Sequence, residues 1–180
     1  MSALFGPVRQ VGFVVRDVRL AMAQWARVGV GPWFYREAAL AVEYRYYGKP
    51  SALPALSFGF ANSGDLQIEL IAQHNDVPSL YLDTMRQQGE AAQHLAFWTL
   101  DRFDEHVHAL LSKGYVEGHS GRMGSNRGRF AYFVHPRLPS AMIEVSESTG
   151  GKVELFEQVR RAAIGWDGAD PIRSIGVPGV

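Results

Sequence analysis

The 180-residue chain is 47% apolar and 20% charged, the balance of an ordinary soluble globular protein. Eighteen basic residues offset eighteen acidic ones, which argues against a general nucleic-acid or membrane-surface binder, since both need excess positive charge on some face. With no cysteine present, disulfides, thiolate nucleophiles and sulfur-ligated zinc or iron–sulfur sites are excluded.

At the amino terminus, MSALFGPVRQ lacks the long apolar run of a signal peptide, and no later stretch approaches a membrane span, so a cytoplasmic location is the default expectation. RQVGFVVRD (9–17) reads as a short strand ending in a turn. The helix VRLAMAQWARVG follows, with Asp17 as its N-cap and Gly29 near its C-cap. Three β-prone runs come next, WFYREA, VEYRYYG and LSFGFAN, and then the strand LQIELIAQ (66–73). QHLAFWTLD (93–101) opens a second strand–turn–helix unit, in which Asp101 is the expected N-cap of RFDEHVHALLSKG and Gly114 its end. YVEGHS, RFAYFVH and SAMIEVSE (140–147) are the strands after it. In GGKVELFEQVRRAAIG (150–165), Val153, Phe156, Val159 and Ala163 recur at helical spacing and predict an amphipathic helix. The turn-rich tail WDGADPIRSIGVPGV is expected to lie over the surface as irregular structure.

These elements repeat. Laying residues 9–17 over 93–101 matches Gln10 with His94, Gly12 with Ala96, Phe13 with Phe97 and Asp17 with Asp101. LQIELIAQ laid over SAMIEVSE matches Glu69 with Glu144. His94 follows Gln10 by 84 residues and Glu144 follows Glu69 by 75, so the first copy is about nine residues longer, with the excess expected around GKPSALPAL (48–56). The predicted fold class is α+β: two βαβββ modules, 1–75 and 76–149, in pseudo-twofold arrangement, followed by a C-terminal helix and tail over 150–180.

Four positions stand out in this frame. Gln10 and His94 each begin a strand and have a small residue, Gly12 or Ala96, two places later on the same face. Glu69 and Glu144 sit among Ile, Leu and Val, where a carboxylate is costly to bury without a metal or cation. Any one of them alone also describes a half-exposed sheet or a structural histidine. Together they occupy equivalent positions in two copies, which a pseudo-twofold would converge on one divalent-metal centre. The other histidines, His74, His106, His108, His119 and His135, read as structural or surface residues. Arg122, Arg127 and Arg129, with Asn126 between them, form a basic glycine-rich loop. It suits either a substrate anion or plain solvent. Trp33, Phe34, Tyr35 and Trp98 suit either a cavity wall or ordinary core.

Residues 8–148 resemble the vicinal oxygen chelate superfamily, which includes glyoxalase I, methylmalonyl-CoA epimerase, extradiol dioxygenases and fosfomycin-resistance proteins. The resemblance rests on VRQVGFVV, LQIELIAQ, AQHLAFWTLD and GSNRGRFAYFVHPRLPSAMIEVSE. It implies paired βαβββ modules curving a sheet around a metal cavity, with ligands at Gln10, Glu69, His94 and Glu144, and a homodimer. Epimerases of this type usually show His first and Gln or His second; the Gln, Glu, His, Glu set here is similar to that of human-type glyoxalase I. A single histidine departs from the two-histidine pattern of extradiol dioxygenases.

This oxygen-rich set suits an octahedral Zn²⁺, Ni²⁺, Co²⁺, Mn²⁺ or Mg²⁺ with two open positions. The expected activity is that of a metal-dependent isomerase, epimerase or lyase. It would abstract an α-proton through Glu144 or Glu69 and stabilise an enediolate on a small oxo-acid, thioester or thiohemiacetal. Arg127, Arg129, Asn126, Trp98 and Trp33 are the expected substrate contacts. The alternative is a small-molecule binding or resistance protein of the same fold without turnover.

Overall fold

Alternating apolar residues make strand the commonest regular element of this chain, and helices pack both on the outer face of the sheet and toward its inner side. The computed structural model describes residues 2–37, 41–123, 128–149 and 151–175. The first half runs β1 (Gln10–Val14), α1 (Val18–Arg27), β2 (Trp33–Glu37), β3 (Ala41–Tyr46), β4 (Lys49–Pro50), β5 (Leu56–Ser63) and β6 (Leu66–Gln73). A connecting helix, α2 (Leu80–Gln88), leads to β7 (Ala91–Thr99), α3 (Phe103–Leu111), β8 (Val116–Met123), β9 (Arg129–His135) and β10 (Leu138–Glu147). α4 (Gly151–Ala162) and β11 (Ile172–Ser174) follow.

All strands join one curved mixed sheet in the order β11-β2-β5-β6-β1-β7-β10-β9-β8-β3-β4. Both halves share one connectivity. β1 is parallel to β6, with β5 and β2 antiparallel beyond it. β7 is parallel to β10, with β9 and β8 antiparallel beyond it. The halves meet where β1 and β7 run antiparallel, with Gln10 opposite Ala96 and Gly12 opposite His94. That reciprocal pairing is what a local twofold produces. It also reassigns the two small residues: each lies across from the polar residue of the other copy rather than serving its own.

The extra length of the first copy is larger in effect than a loop at 48–56. Leaving β2, the chain crosses to the far edge of the other half, where β3 pairs with β8 and β4 folds back on β3. VEYRYYG, expected within the first module's own sheet, is therefore an edge cover for the second. The tail departs from expectation in a matching way: β11 pairs in parallel with β2, the opposite edge. Both edges would otherwise present unpaired backbone groups, which favours covering them.

Helix ends follow local chemistry. Asp17 Oδ1 accepts from the Leu20 amide at 3.0 Å, so the first predicted cap forms. The second does not. α3 begins at Phe103 with Arg102 in the cap position and no side-chain cap bond. Asp101 comes one residue too early, and Thr99 Oγ1 instead accepts from the Arg102 amide at 2.8 Å. α2 was not marked by its mixed-polarity sequence, although it has a capping serine: Ser79 Oγ accepts from Leu82 N at 3.0 Å.

Strand alternation sorts side chains between two environments. Outward, Val18 and Met22 of α1 pack on Trp33, Tyr35, Ile68 and Leu70, and Phe103 and Leu110 of α3 pack on Ala131, Phe133 and Val145. Inward, Phe34, Phe58, Phe60, Ile71, Tyr132 and Met142 face the concave side, joined by Leu80 and Tyr81 of α2 and Phe156 and Val159 of α4. Each large side chain so buried contributes about 1.5–3 kcal/mol. On α4 the inward stripe is Lys152, Leu155, Phe156 and Val159, whereas Val153, expected on the apolar face, is 43% exposed.

Candidate metal centre

Glu69 of β6 and Glu144 of β10 occupy equivalent strands of the two halves, and His94 of β7 stands between them. Oε2 of each carboxylate lies 3.3 Å from His94 Nε2. One ligand atom from each of the three residues falls within 4.8 Å of the other two. Solvent reaches little of them: Glu69 is 7%, His94 2% and Glu144 5% exposed. None of the three facing atoms has a hydrogen-bond partner, so their contacts have ion-pair distances without hydrogen-bond geometry. Three orphaned buried polar atoms aimed at one point are costly by themselves, and a single divalent cation would satisfy all of them. The donor set therefore fits a metal. Burial pushes the Glu69 carboxyl above the usual carboxylate range and Glu144 adds to this, while His94 and Lys152 pull it back.

Gln10 lines the same cavity as Glu69 and Glu144. Its amide nitrogen donates to Gln67 Oε1 at 2.7 Å, which fixes the amide and leaves its carbonyl oxygen as a donor atom for an occupant.

The histidine is positioned from two sides. Its ring lies against Gly12, where an added Cβ would stand 1.8 Å from Cε1. Its Nδ1 is 3.2 Å from Gln93 Oε1. Gln93 Nε2 already donates to Leu80 O and to Thr84 Oγ1, both at 2.8 Å, so the Gln93 oxygen accepts and His94 Nδ1 donates. The lone pair is thereby left on Nε2, the atom facing the carboxylates. Gln93→Leu is expected to keep the fold and lower divalent-metal affinity about 10–100-fold, read by chelator competition.

Around the centre is a cavity of about 390 Å³. Its wall is aromatic, with Phe34, Phe58, Phe60, Phe130, Tyr132 and Phe156 prominent. The Tyr81 and Tyr132 rings meet edge to face at 5.6 Å between centroids, and their hydroxyls are raised well above the usual phenol range, mainly by burial and further by Glu69 and Glu144. They remain O–H donors beside the carboxylates. Lys152, from the first turn of α4, also lines the cavity; burial lowers its ammonium, opposed by Glu144, Glu69 and Glu147.

Lys152, Tyr81, Tyr132 and Gln93 were not singled out from the sequence. For Lys152 a signal existed, since it precedes Phe156 by four residues and Val159 by seven and so shares their helix face.

Other expected contacts lie elsewhere. Trp33 is fully buried on the outer face with Met22 and Leu70, while its neighbour Phe34 faces the cavity. Trp98 shares the His94 face but stacks on Phe156 at 4.6 Å and lines a separate cleft with Arg9 and Ser148. Arg129 is engaged by Glu147 at 2.7 Å and Asp104 at 2.8 Å, outside the cavity. Arg122 reaches Glu43 at 3.4 Å. Asn126 and Arg127 lie outside the described residues.

Over residues 9–133 the chain matches the sequence profile of the Glyoxalase/Bleomycin resistance protein/Dioxygenase superfamily. The chain belongs to that superfamily. No curated protein sequence matches it. Among solved structures it is similar to methylmalonyl-CoA epimerase from Mycobacterium tuberculosis, at 18% identity and TM-score 0.56, covering 86% of this chain and 95% of that one. It is similar to a hypothetical protein from Bacillus halodurans C-125, at 15% identity and TM-score 0.53, over 80% and 95% of the two chains. A Streptomyces coelicolor methylmalonyl-CoA epimerase variant in complex with 2-nitronate-propionyl-CoA matches at 16% identity and TM-score 0.50, over 78% and 96%. At these identities the likeness shows the shared superfamily fold. No helix among the described residues is long and apolar enough to cross a membrane.

Proposed function

We propose that this superfamily member is a metal-dependent isomerase, epimerase or lyase of the glyoxalase type, acting on a small molecule with adjacent oxygens. The observation that carries the reading is the convergence of three buried, unpartnered ligand atoms from Glu69, His94 and Glu144. Gln10 would complete the set, and Zn²⁺, Ni²⁺, Co²⁺, Mn²⁺ or Mg²⁺ suits it. The ion would supply Lewis-acid polarisation of the substrate oxygens. Glu144, on leaving the ion, would take the α-proton, and the electron pair would delocalise onto the neighbouring carbonyl as an enediolate. Return of that proton by Glu144 to the adjacent carbon gives isomerisation; delivery of a second proton, held by Glu69, to the opposite face of the α-carbon gives epimerisation, with Glu144 keeping the one it took. The Tyr81 and Tyr132 hydroxyls supply neutral donors to these carboxylates or to substrate oxygen, and the aromatic wall keeps water away. A homodimer belongs to the same proposal and is read from solution mass by light scattering.

Purified protein is expected to hold close to one divalent ion per chain. Metal analysis that finds none, even after reconstitution, sinks the centre. In samples shown by metal analysis to be fully loaded, Glu144→Gln is expected to abolish solvent-deuterium exchange at the α-carbon of a bound substrate while ligand affinity stays near wild type. Exchange at the wild-type rate would remove Glu144 as the base. A binding protein without turnover is the second reading, supported by the largely aromatic cavity; it predicts one metal per chain and no exchange in the wild type.

A further inference from the structure

Among the described residues, Lys152 is the one lysine lining the cavity. Its Nζ donates to Ser146 Oγ and stands 5.5 Å from the centroid of the Phe156 ring. Ser146 follows Glu144 by two residues on β10, so both side chains share a face. The ammonium is thereby tethered on the side of the sheet that carries the centre.

Charge arithmetic makes this placement informative. Gln10 and a metal-bound imidazole are neutral, and the two carboxylates balance one divalent ion. Lys152 then leaves the inner cavity with one positive charge in excess. Lys152 is half-buried as a residue, and an ammonium so placed is costly unless an anion meets it; with the ion bound, Glu69 and Glu144 are already committed, as Glu147 is to Arg129. Among the described residues, the other charged groups lining the cavity are Arg36 and the exposed Glu154. Beyond the ammonium the wall is formed by Phe34, Phe58, Phe60, Phe130 and Phe156, and about 390 Å³ is at the small end of ligand cavities.

We propose that Lys152 is a specificity-determining residue that selects an anionic substrate, a 2-oxo or 2-hydroxy acid carried on an aromatic or branched apolar body. The inference rests on the metal centre proposed above. The carboxylate meets Nζ through a charge-assisted hydrogen bond, the apolar body fills the aromatic wall, and the adjacent oxygens are presented to the centre. Tethering by Ser146 limits the rotamer entropy lost when the anion arrives.

The test titrates two probes that share their vicinal oxygens and ring and differ in charge, mandelate and mandelamide, into zinc-loaded protein by calorimetry. Lys152→Met is expected to weaken mandelate about tenfold and leave mandelamide within about twofold. Lys152→Arg restores most of the mandelate affinity. A purely structural lysine would shift both ligands together, or only the melting temperature. If Lys152→Met fails to fold, Lys152→Gln, which keeps a donor for Ser146, gives the same comparison. Full zinc loading with an unchanged mandelate-to-mandelamide ratio overturns the role of Lys152 alone. Failure of mandelate to bind zinc-loaded wild type at millimolar concentration overturns the substrate class. Failure of the wild type to take up zinc overturns the centre and this inference together, and metal analysis of each sample tells these results apart.

Discussion

Gly12→Ala is expected to dismantle the candidate centre with a single methyl group. The added Cβ would lie 1.8 Å from His94 Cε1, 2.3 Å from Nε2 and 2.4 Å from Nδ1. Three ring atoms would be inside any tolerable contact, so the imidazole must move by more than an ångström. It has little freedom to do so. The ring is 2% exposed, packs against Tyr132 at 4.8 Å between centroids, and is tied to Gln93. Moving it takes Nε2 away from both carboxylates and breaks the Gln93 contact that sets its tautomer. Divalent-metal affinity is expected to fall at least about a hundredfold, and the fold to lose about 1–3 kcal/mol from overpacking. Chelator competition and denaturant unfolding measure the two effects separately. Ala96→Gly, at the equivalent position of the other copy, removes a methyl group from beside Gln10 and should leave metal affinity near wild type. A Gly12→Ala protein that binds metal as tightly as wild type would show that the ring can retreat without cost.

That same contact shows how far the sequence could be read. The pattern Gln-x-Gly against His-x-Ala was visible as a repeat, and with it the equivalence of Glu69 and Glu144, because strand periodicity and the repeat offset are local properties of the chain. That each small residue serves the other copy's ligand was not visible, since it depends on β1 and β7 pairing antiparallel. The long-range crossings were hidden for a similar reason. VEYRYYG reads as a strand wherever it pairs, and nothing in its composition says that its partner is β8. β11 is three residues long, too short to register against a glycine- and proline-rich background. Aromatic residues misled more than they informed. Trp33 and Phe34 are adjacent and equally apolar, and only the strand's facing, fixed by α1 packing on Trp33, decides which one sees the cavity. In the sequence Arg129 belongs to a loop that suits a substrate anion or plain solvent, whereas Asp104 of α3 and Glu147 of β10, distant in sequence, engage it.

His119→Gln is expected to remove a large part of the protein's sensitivity to mild acid. His119 of β8 is fully buried. Its Nδ1 accepts from the Leu80 amide at 3.2 Å, and Tyr132 and Tyr81 enclose the ring at 4.3 and 4.7 Å between centroids. Burial, with His94 adding to it, pushes the imidazole down to about 3. In the unfolded chain it titrates near 6.5. Between those values the unfolded state binds a proton that the folded state refuses. The contribution is therefore complete above about pH 6.5 and is lost as pH falls toward about 3. At about 1.4 kcal/mol per unit the full window is worth about 5 kcal/mol, comparable to the whole stability of a small domain. His106, lowered mainly by burial, acts in the same direction. Glu147, held low by Arg129, loses its contribution only below the ordinary carboxylate range. Glu69 opposes them: its raised carboxyl favours the metal-free folded state as pH falls toward the ordinary carboxylate range. Glutamine at 119 can still accept from the Leu80 amide and does not titrate here. Urea unfolding between pH 7.5 and 5 should show a steep loss of stability in the wild type and a shallower one in the variant, with acid unfolding displaced by about one pH unit downward. Parallel curves for the two proteins would mean that His119 takes up its proton without unfolding the pocket around Tyr81 and Tyr132.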